Sequence, residues 1–284
     1  MSAPLPAIDP QQAIQVITGF IRSQLEQAGF TRLVVGLSGG VDSATVAYLA
    51  VRTIGADNLL AVRMPYRSSS PDSEADALRV VTALGCHTEL VEITPMVDPM
   101  LTLVSGDHED ALRVRRGNVM ARQRMIVLYD RSAAFDALVA GTSNKTEALL
   151  GYGTLHGDMA AALAPIGDLY KSQLRAVAGA LGVPDEILAK PPSADLWPGQ
   201  TDEGELGATY DDLDRILFAL VDRRWSRERC VEAGLDAALV RWVAQRVARN
   251  EFKRQLSPVA KLSLRTPGVD HLYPRRRPGS RRGS

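Results

Sequence analysis

The segment that most constrains this chain is Leu33-Val34-Val35-Gly36-Leu37, which runs straight into Ser38-Gly39-Gly40-Val41-Asp42-Ser43 and on into SATVAYLAVRTIG. A short unbroken apolar run reads as a buried strand of a parallel sheet, and the stretch after the turn has helical character. A glycine-rich turn between such a strand and a helix lets backbone approach a ligand closely. It also offers free N–H groups at a helix start and two hydroxyls, a combination suited to polyphosphate. Asp42 adds a hard oxygen ligand for Mg²⁺ beside those phosphates. The pattern G-x-x-x-x-G-K-[ST] is absent, so the chain is not a P-loop kinase or GTPase. The same turn could join strand to helix with no ligand; strand, loop and helix in register weigh against that.

The rest of the chain repeats the strand-then-helix rhythm. Asp9-Pro10 caps an amphipathic helix carrying Ile14, Ile17, Phe20, Ile21 and Leu25. Leu59 to Met64 and Thr88 to Ile93 read as further strands, with a helix over 71–84 between them. A long helix is expected from Glu109 to Ala134, a fourth strand over Ala137–Ala140, and Ala162 to Ile166 is a candidate fifth. Strands alternating with helices at this interval imply βαβ units with right-handed crossovers, hence an open twisted parallel sheet of about five strands with helices on both faces. Residues 190–207, rich in Pro, Gly and acids, form a long loop of the functional rather than idle kind. Helical periodicity returns over 210–223 and 235–252.

Composition excludes several classes. Hydrophobic residues at 45% and charged residues at 23% are those of a globular chain rather than a disordered or collagen-like one. Two distant cysteines, Cys86 and Cys230, form no CxxC, and the four histidines show no metal-ligand spacing, so a reducing cytosol is the expected home. No apolar run is long enough for a membrane span, and the N-terminal residues lack the pattern of a signal peptide. The balance of 33 Lys+Arg against 33 Asp+Glu conceals an asymmetry, because residues 274–284 hold five Arg and no acid. Without them the remaining 28 basic against 33 acidic residues leave a net charge of −5, so no nucleic-acid role is expected of the body. One domain over 1–273 and a solvated, disordered basic tail over 274–284 are expected.

The SGGxDS loop after a strand resembles the signature of the N-type ATP pyrophosphatases, the PP-loop superfamily. Further segments narrow the likeness. Gly117-Asn118-Val119-Met120-Ala121-Arg122-Gln123-Arg124-Met125 resembles the GNxxARxRM helix of the ammonia-dependent NAD synthetases. Gly141-Thr142-Ser143-Asn144-Lys145-Thr146-Glu147, followed by Gly151-Tyr152, is similar to their fourth-strand loop. PPSADLW from Pro191, Gln200-Thr201-Asp202-Glu203, Glu205-Leu206-Gly207 and Tyr210-Asp211 resemble their mobile acidic loop and the helix after it. Phe252-Lys253-Arg254 resembles their HKR, and the matches keep one order from about residue 10 to residue 262.

The resemblance implies an adenine nucleotide alpha hydrolase-like fold and a homodimeric enzyme. Such an enzyme adenylates the nicotinate carboxylate of deamido-NAD with ATP, after which ammonia displaces AMP to give NAD. It implies ATP contacts at Gly36, Leu37, Ser38, Gly39, Gly40, Val41, Asp42, Ser43, Arg63, Thr142, Lys171 and Ser193. Asp42 and Lys171 act in catalysis, Asp42 and Glu147 hold Mg²⁺, and Arg122, Tyr129 and Lys253 bind the carboxylate substrate. Asn144 would cap the helix that carries Glu147. Arg122 and Arg124 could instead lie on the solvated face of a long helix, and Trp197 and Trp225 read first as packing residues. No glutaminase segment is read, so ammonia is expected free or from a separate partner.

The chain departs from the family pattern at Leu155, where a lysine is common, at Ala162, where an aspartate is common, and at Phe252, in place of histidine. ATP activation is therefore better supported than the identity of the carboxylate. Two alternatives stand beside the main reading: an amide ligase of the same superfamily acting on another acid, and a non-catalytic nucleotide-binding protein.

Overall fold

A computed structural model of the protein describes residues 5–104, 108–193, 195, 197 and 199–270. The expected basic tail over 274–284 lies outside them. The described elements run α1 (Pro10–Ala28), β1 (Arg32–Gly36), α2 (Val41–Ile54), β2 (Leu59–Arg63), α3 (Pro71–Leu84), β3 (His87–Leu90), α4 (Thr94–Leu101) and α5 (Glu109–Ala134). They continue with β4 (Ala137–Ala140), α6 (Lys145–Leu150), α7 (Lys171–Leu181), α8 (Asp185–Ala189), α9 (Asp202–Leu206), α10 (Tyr210–Leu217), α11 (Arg227–Glu232) and α12 (Ala237–Arg249).

The described strands form one parallel sheet of four in the order β3-β2-β1-β4. Its central strand explains why both faces are covered. Leu33 and Val35 enter a core with α1, α2 and α7, while Val34 points to the opposite core with Val97, Met120 and Val127 of α4 and α5. A strand buried on both sides must be continuously apolar, which is what the sequence shows. A third apolar cluster joins Leu150 and Tyr170 to α10, α11 and α12. Burying each Ile or Leu of the α1 stripe contributes about 1.5–3 kcal/mol, and Ile14, Ile17, Ile21 and Leu25 are all buried.

Three expectations need correction. The candidate fifth strand over 162–166 is reduced to a single parallel bridge between Ala140 and Leu163. Pro165 lacks the N–H that would extend the ladder. The third strand ends at Leu90 rather than Ile93, and the helical stretch after Tyr210 widens into a π-turn over Phe218–Asp222. The long loop also contains a short helix of its own, α9.

Candidate active site

Because β2 and β3 extend the sheet to one side of β1 and β4 lies on the other, the strand order reverses between β1 and β4. Open parallel sheets bind ligands in the crevice outside the carboxyl ends of the strands at such a point. A cavity of about 800 Å³ opens there, lined by the loops after β1 and β4, the starts of α6 and α7, and the acidic loop.

The phosphate loop is closed on itself. Ser43 Oγ accepts from Ser38 N at 3.2 Å, lies 3.1 Å from Ser38 Oγ and donates to the Gly40 carbonyl at 3.1 Å. Gly39 sits at φ +79°, and a Cβ there would come within 2.1 Å of the Ser73 carbonyl, so no other residue fits. No side chain caps the start of α2, which leaves the first-turn N–H groups and the positive helix end available to an anion.

Beyond the loop, three acids surround one lysine. Lys171, 2% exposed, pairs with Asp42 and lies 3.5 Å from Glu147. Asn144 fixes both acids: its Nδ2 donates to Asp42 Oδ1 at 2.9 Å, while its Oδ1 accepts from Glu147 N and its own N–H donates to Glu147 Oε2. The expected cap is thus a full capping box. Asp202 is held by the hydroxyls of Tyr152 and Tyr210 at 3.1 and 3.0 Å and adds its field to that of Asp42 and Glu147. Burial, and next Asp42, push Glu147 up to about 8 against the pull of Lys171. Burial opposes the charge on Lys171, but Asp42 and Glu147 outweigh it and hold the ammonium above the ordinary lysine range.

That excess of buried negative charge is the property a divalent cation relieves, and hard carboxylate oxygens suit Mg²⁺. Among the described residues no group of three His, Cys, Asp or Glu side chains forms a complete cage. One or two carboxylates plus substrate phosphates is the usual Mg²⁺ environment, and Asp42 and Glu147 beside a phosphate loop fit it.

The remaining expected residues divide. Gly36, Leu37, Ser38, Gly40, Val41, Thr142, Ser193 and Lys253 line the cavity with Asp42, Glu147 and Lys171. Gly39 and Ser43 shape the loop from behind. Arg63 is not itself among the cavity-lining residues: it pairs with Glu74, which is one, and donates to Thr88 Oγ1 at 3.2 Å. Lys253 donates to the carbonyls of Gly151 and Gly153, both at 2.8 Å, and burial pushes its pKa down. Arg122 and Tyr129 are exposed on α5, and Arg122 meets the Leu155 carbonyl at 3.3 Å through both Nε and Nη2.

Sequence reasoning missed Arg124 as a site residue. Gly117, Ala121, Arg124 and Leu128 fall on one helical stripe at spacings of four, three and four, and all four line the cavity. Arg122 is two positions off that stripe. Arg124 donates Nε to the Met64 carbonyl at 3.1 Å. Burial pushes its guanidinium down, against the attraction of Asp195 and Asp158. Trp197, read as packing, also lines the cavity, whereas Trp225 packs in the C-terminal cluster as expected. Asp195 lines the cavity and accepts from Ser70 N at 3.0 and 3.2 Å.

Comparison with known proteins places this geometry. A family model described as NAD synthase matches residues 13–257. The NH(3)-dependent NAD(+) synthetase of Chlorobium phaeobacteroides is 51% identical over 260 residues, 92% of each chain. The NH3-dependent NAD synthetase of Campylobacter jejuni, solved with a nitrate ion, superposes with a TM-score of 0.74 at 33% identity, covering 89% of this chain and 100% of that one. The NMN synthetase of Francisella tularensis gives a TM-score of 0.76 at 31% identity over 89% of this chain and 99% of that one. On the strength of the family match and the relatives' identity, this chain belongs to the NAD synthase family.

Proposed function

We propose that this protein makes NAD from deamido-NAD, ATP and ammonia, releasing AMP and pyrophosphate, and that it does so in the cytoplasm as a homodimer. The observation that carries this reading is the phosphate loop, Lys171 and the Asp42–Glu147 pair converging on one cavity. In the first step a nicotinate carboxylate oxygen attacks the α-phosphorus of ATP and the bond from that phosphorus to the α,β-bridging oxygen breaks, leaving an acyl-adenylate and pyrophosphate. In the second, ammonia adds to the acyl carbon, loses a proton and expels AMP.

The chain's own residues meet the demands of these steps. Negative charge accumulates on the departing pyrophosphate, and preorganised cations and N–H donors in a water-poor site stabilise it best. The start of α2 and the Lys171 ammonium supply these. Mg²⁺, held by Asp42 and Glu147, would neutralise phosphate charge. Thr142 and Ser193 both line the cavity and offer hydroxyls to the nucleotide. Arg63 acts indirectly, through Glu74.

The carboxylate substrate falls to Arg122, Tyr129 and Lys253. The exposure of Arg122 and Tyr129, with Ile126, Val114, Met96 and Met100 exposed nearby on α5 and α4, supports a second subunit completing that side. Among the described residues no helix is long and apolar enough to cross a membrane. One domain over residues 1–273 fits the cavity's dependence on both halves of the chain.

Purified protein is incubated with ATP, Mg²⁺, ammonium and deamido-NAD, and products are read by mass. NAD, AMP and pyrophosphate in equal amounts are expected. ADP in place of AMP overturns the reaction class; AMP only with another acid overturns the substrate. Because only NH₃ carries a lone pair, the rate at fixed total ammonium rises with pH, and a pH-independent rate counts against direct ammonia attack.

A further inference from the structure

The starts of α6 and α7 carry the two groups that flank Asp42: Glu147 on one, Lys171 on the other. What fixes one helix start against the other is a buried acid from a third element. Asp214 of α10 is fully buried and accepts Thr146 Oγ1–H at 2.5 Å on Oδ1 and Ser172 N–H at 2.8 Å on Oδ2. Thr146 Oγ1 in turn accepts Lys171 N–H at 3.0 Å. Thr146 is itself fully buried and immediately precedes Glu147; Ser172 immediately follows Lys171. The first N–H groups of a helix have no intrahelical partners, and a carboxylate at that end satisfies them and suits the helix dipole. Here one carboxylate, with one threonine as relay, caps the start of α7 and ties it to the first turn of α6.

We propose that Asp214 is a positioning residue for the adenylation chemistry, locking the starts of α6 and α7 so that Lys171 pairs with Asp42 and stays within 3.5 Å of Glu147. This inference rests on the proposed role of Lys171 and Glu147. Among the described residues both Asp214 oxygens are engaged by α6 and α7, and the charged group acting on it is its neighbour Asp211. Displacement of a catalytic group by about 1 Å costs on the order of 100-fold in rate, so the lock has a kinetic signature beyond folding.

Asp214→Asn keeps volume but turns one acceptor into a donor, and Thr146→Val removes the relay while Thr146→Ser keeps its hydroxyl. Two readouts are taken on the full-length protein: kcat and KM for AMP formation, and the Mg²⁺ concentration giving half of the ATP-dependent thermal stabilisation. The second measures binding alone, so it still reports on the lock if wild-type protein proves to form no AMP, the result that would sink the functional reading instead. Expected for Asp214→Asn and Thr146→Val are a fall in kcat of about 10- to 100-fold, KM for ATP within about threefold, and a severalfold rise in the half-stabilising Mg²⁺ concentration. Thr146→Ser stays near wild type in both readouts. A smaller folded fraction alone would lower kcat without moving the Mg²⁺ midpoint. If Asp214→Asn fails to fold, the Thr146 pair decides. Folded variants with an unchanged Mg²⁺ midpoint, or Thr146→Ser falling as far as Thr146→Val, overturn the proposal.

Discussion

The two sides of the cavity are built differently. On the nucleotide side, Asp42, Asn144, Glu147 and Lys171 are partnered to one another; Asn144 caps the start of α6, and Thr146 and Asp214 accept the first N–H groups of α7. On the side assigned to the carboxylate substrate, Arg122 and Tyr129 are exposed, and Lys253 spends two donors on backbone carbonyls of the turn after α6. The first side is preorganised within one chain. The second has its charges placed on outer faces of α5 and at the C-terminal end, where only a ligand or a second subunit can complete them. Polyphosphate recognition needs fixed dipoles and cations, which one domain can hold rigid; a long dinucleotide needs reach, which the proposed second subunit would supply.

Four substitutions sharpen or break that contrast, in descending order of effect. Lys171→Met removes the one cation amid three acids and should lower kcat for AMP formation by about 10²- to 10³-fold, comparable to loss of a preorganised transition-state donor; a drop below tenfold in a single-turnover assay would remove Lys171 from the chemistry. Arg122→Ala acts on the open side, so it should raise KM for deamido-NAD by about 10- to 100-fold, the loss of one bond to a charged group, with KM for ATP little changed. An equal rise in both constants would erase the distinction between the sides.

The third concerns charge without ligand. The pKa of Glu147 is raised on folding to about 8 from its unfolded value. Its protonated form is thus favoured by the fold, and the stability it contributes is present in full below the unfolded value and lost as pH rises through about 8. In the presence of a chelator and without ATP, the wild-type Tm should therefore fall between about pH 5 and pH 9 more steeply than that of Glu147→Gln. Parallel Tm curves would mean that the acids are not in conflict. The smallest effect belongs to Phe252→His, which restores the family's residue at a side chain 60% exposed. Its neighbours Lys253 and Arg254 are already pinned to carbonyls of 148–153, so KM for deamido-NAD should change by no more than about twofold, as exposed substitutions usually do.

How much of this was legible in the sequence follows from the physics of each part. The strands of the sheet centre, the phosphate loop and the Asn144 cap rest on local patterns, apolar runs, glycines and capping residues, and these stand close to where they were expected. The fifth strand failed because a bridge at Leu163 depends on a neighbouring strand and on Pro165, not on local propensity. Arg63 was placed by position at a strand end, yet its guanidinium is engaged by Glu74 of α3, a contact that only tertiary packing could set. Arg124 was visible in principle: its helical spacing from Gly117 and Ala121 puts it on their stripe, and Arg122 off it. Asp214 was not visible, because a buried acid on an amphipathic helix looks like any other charge until its partners on two other helices are known.

The central claim is that a carboxylate attacks the α-phosphate of ATP in this cavity and that ammonia then takes the acyl group. Deamido-NAD labelled with ¹⁸O in its nicotinate carboxylate tests it most directly. The account predicts one ¹⁸O in the phosphate of the AMP released and none in pyrophosphate. Label in pyrophosphate or inorganic phosphate, or unlabelled AMP accompanying NAD, would contradict it.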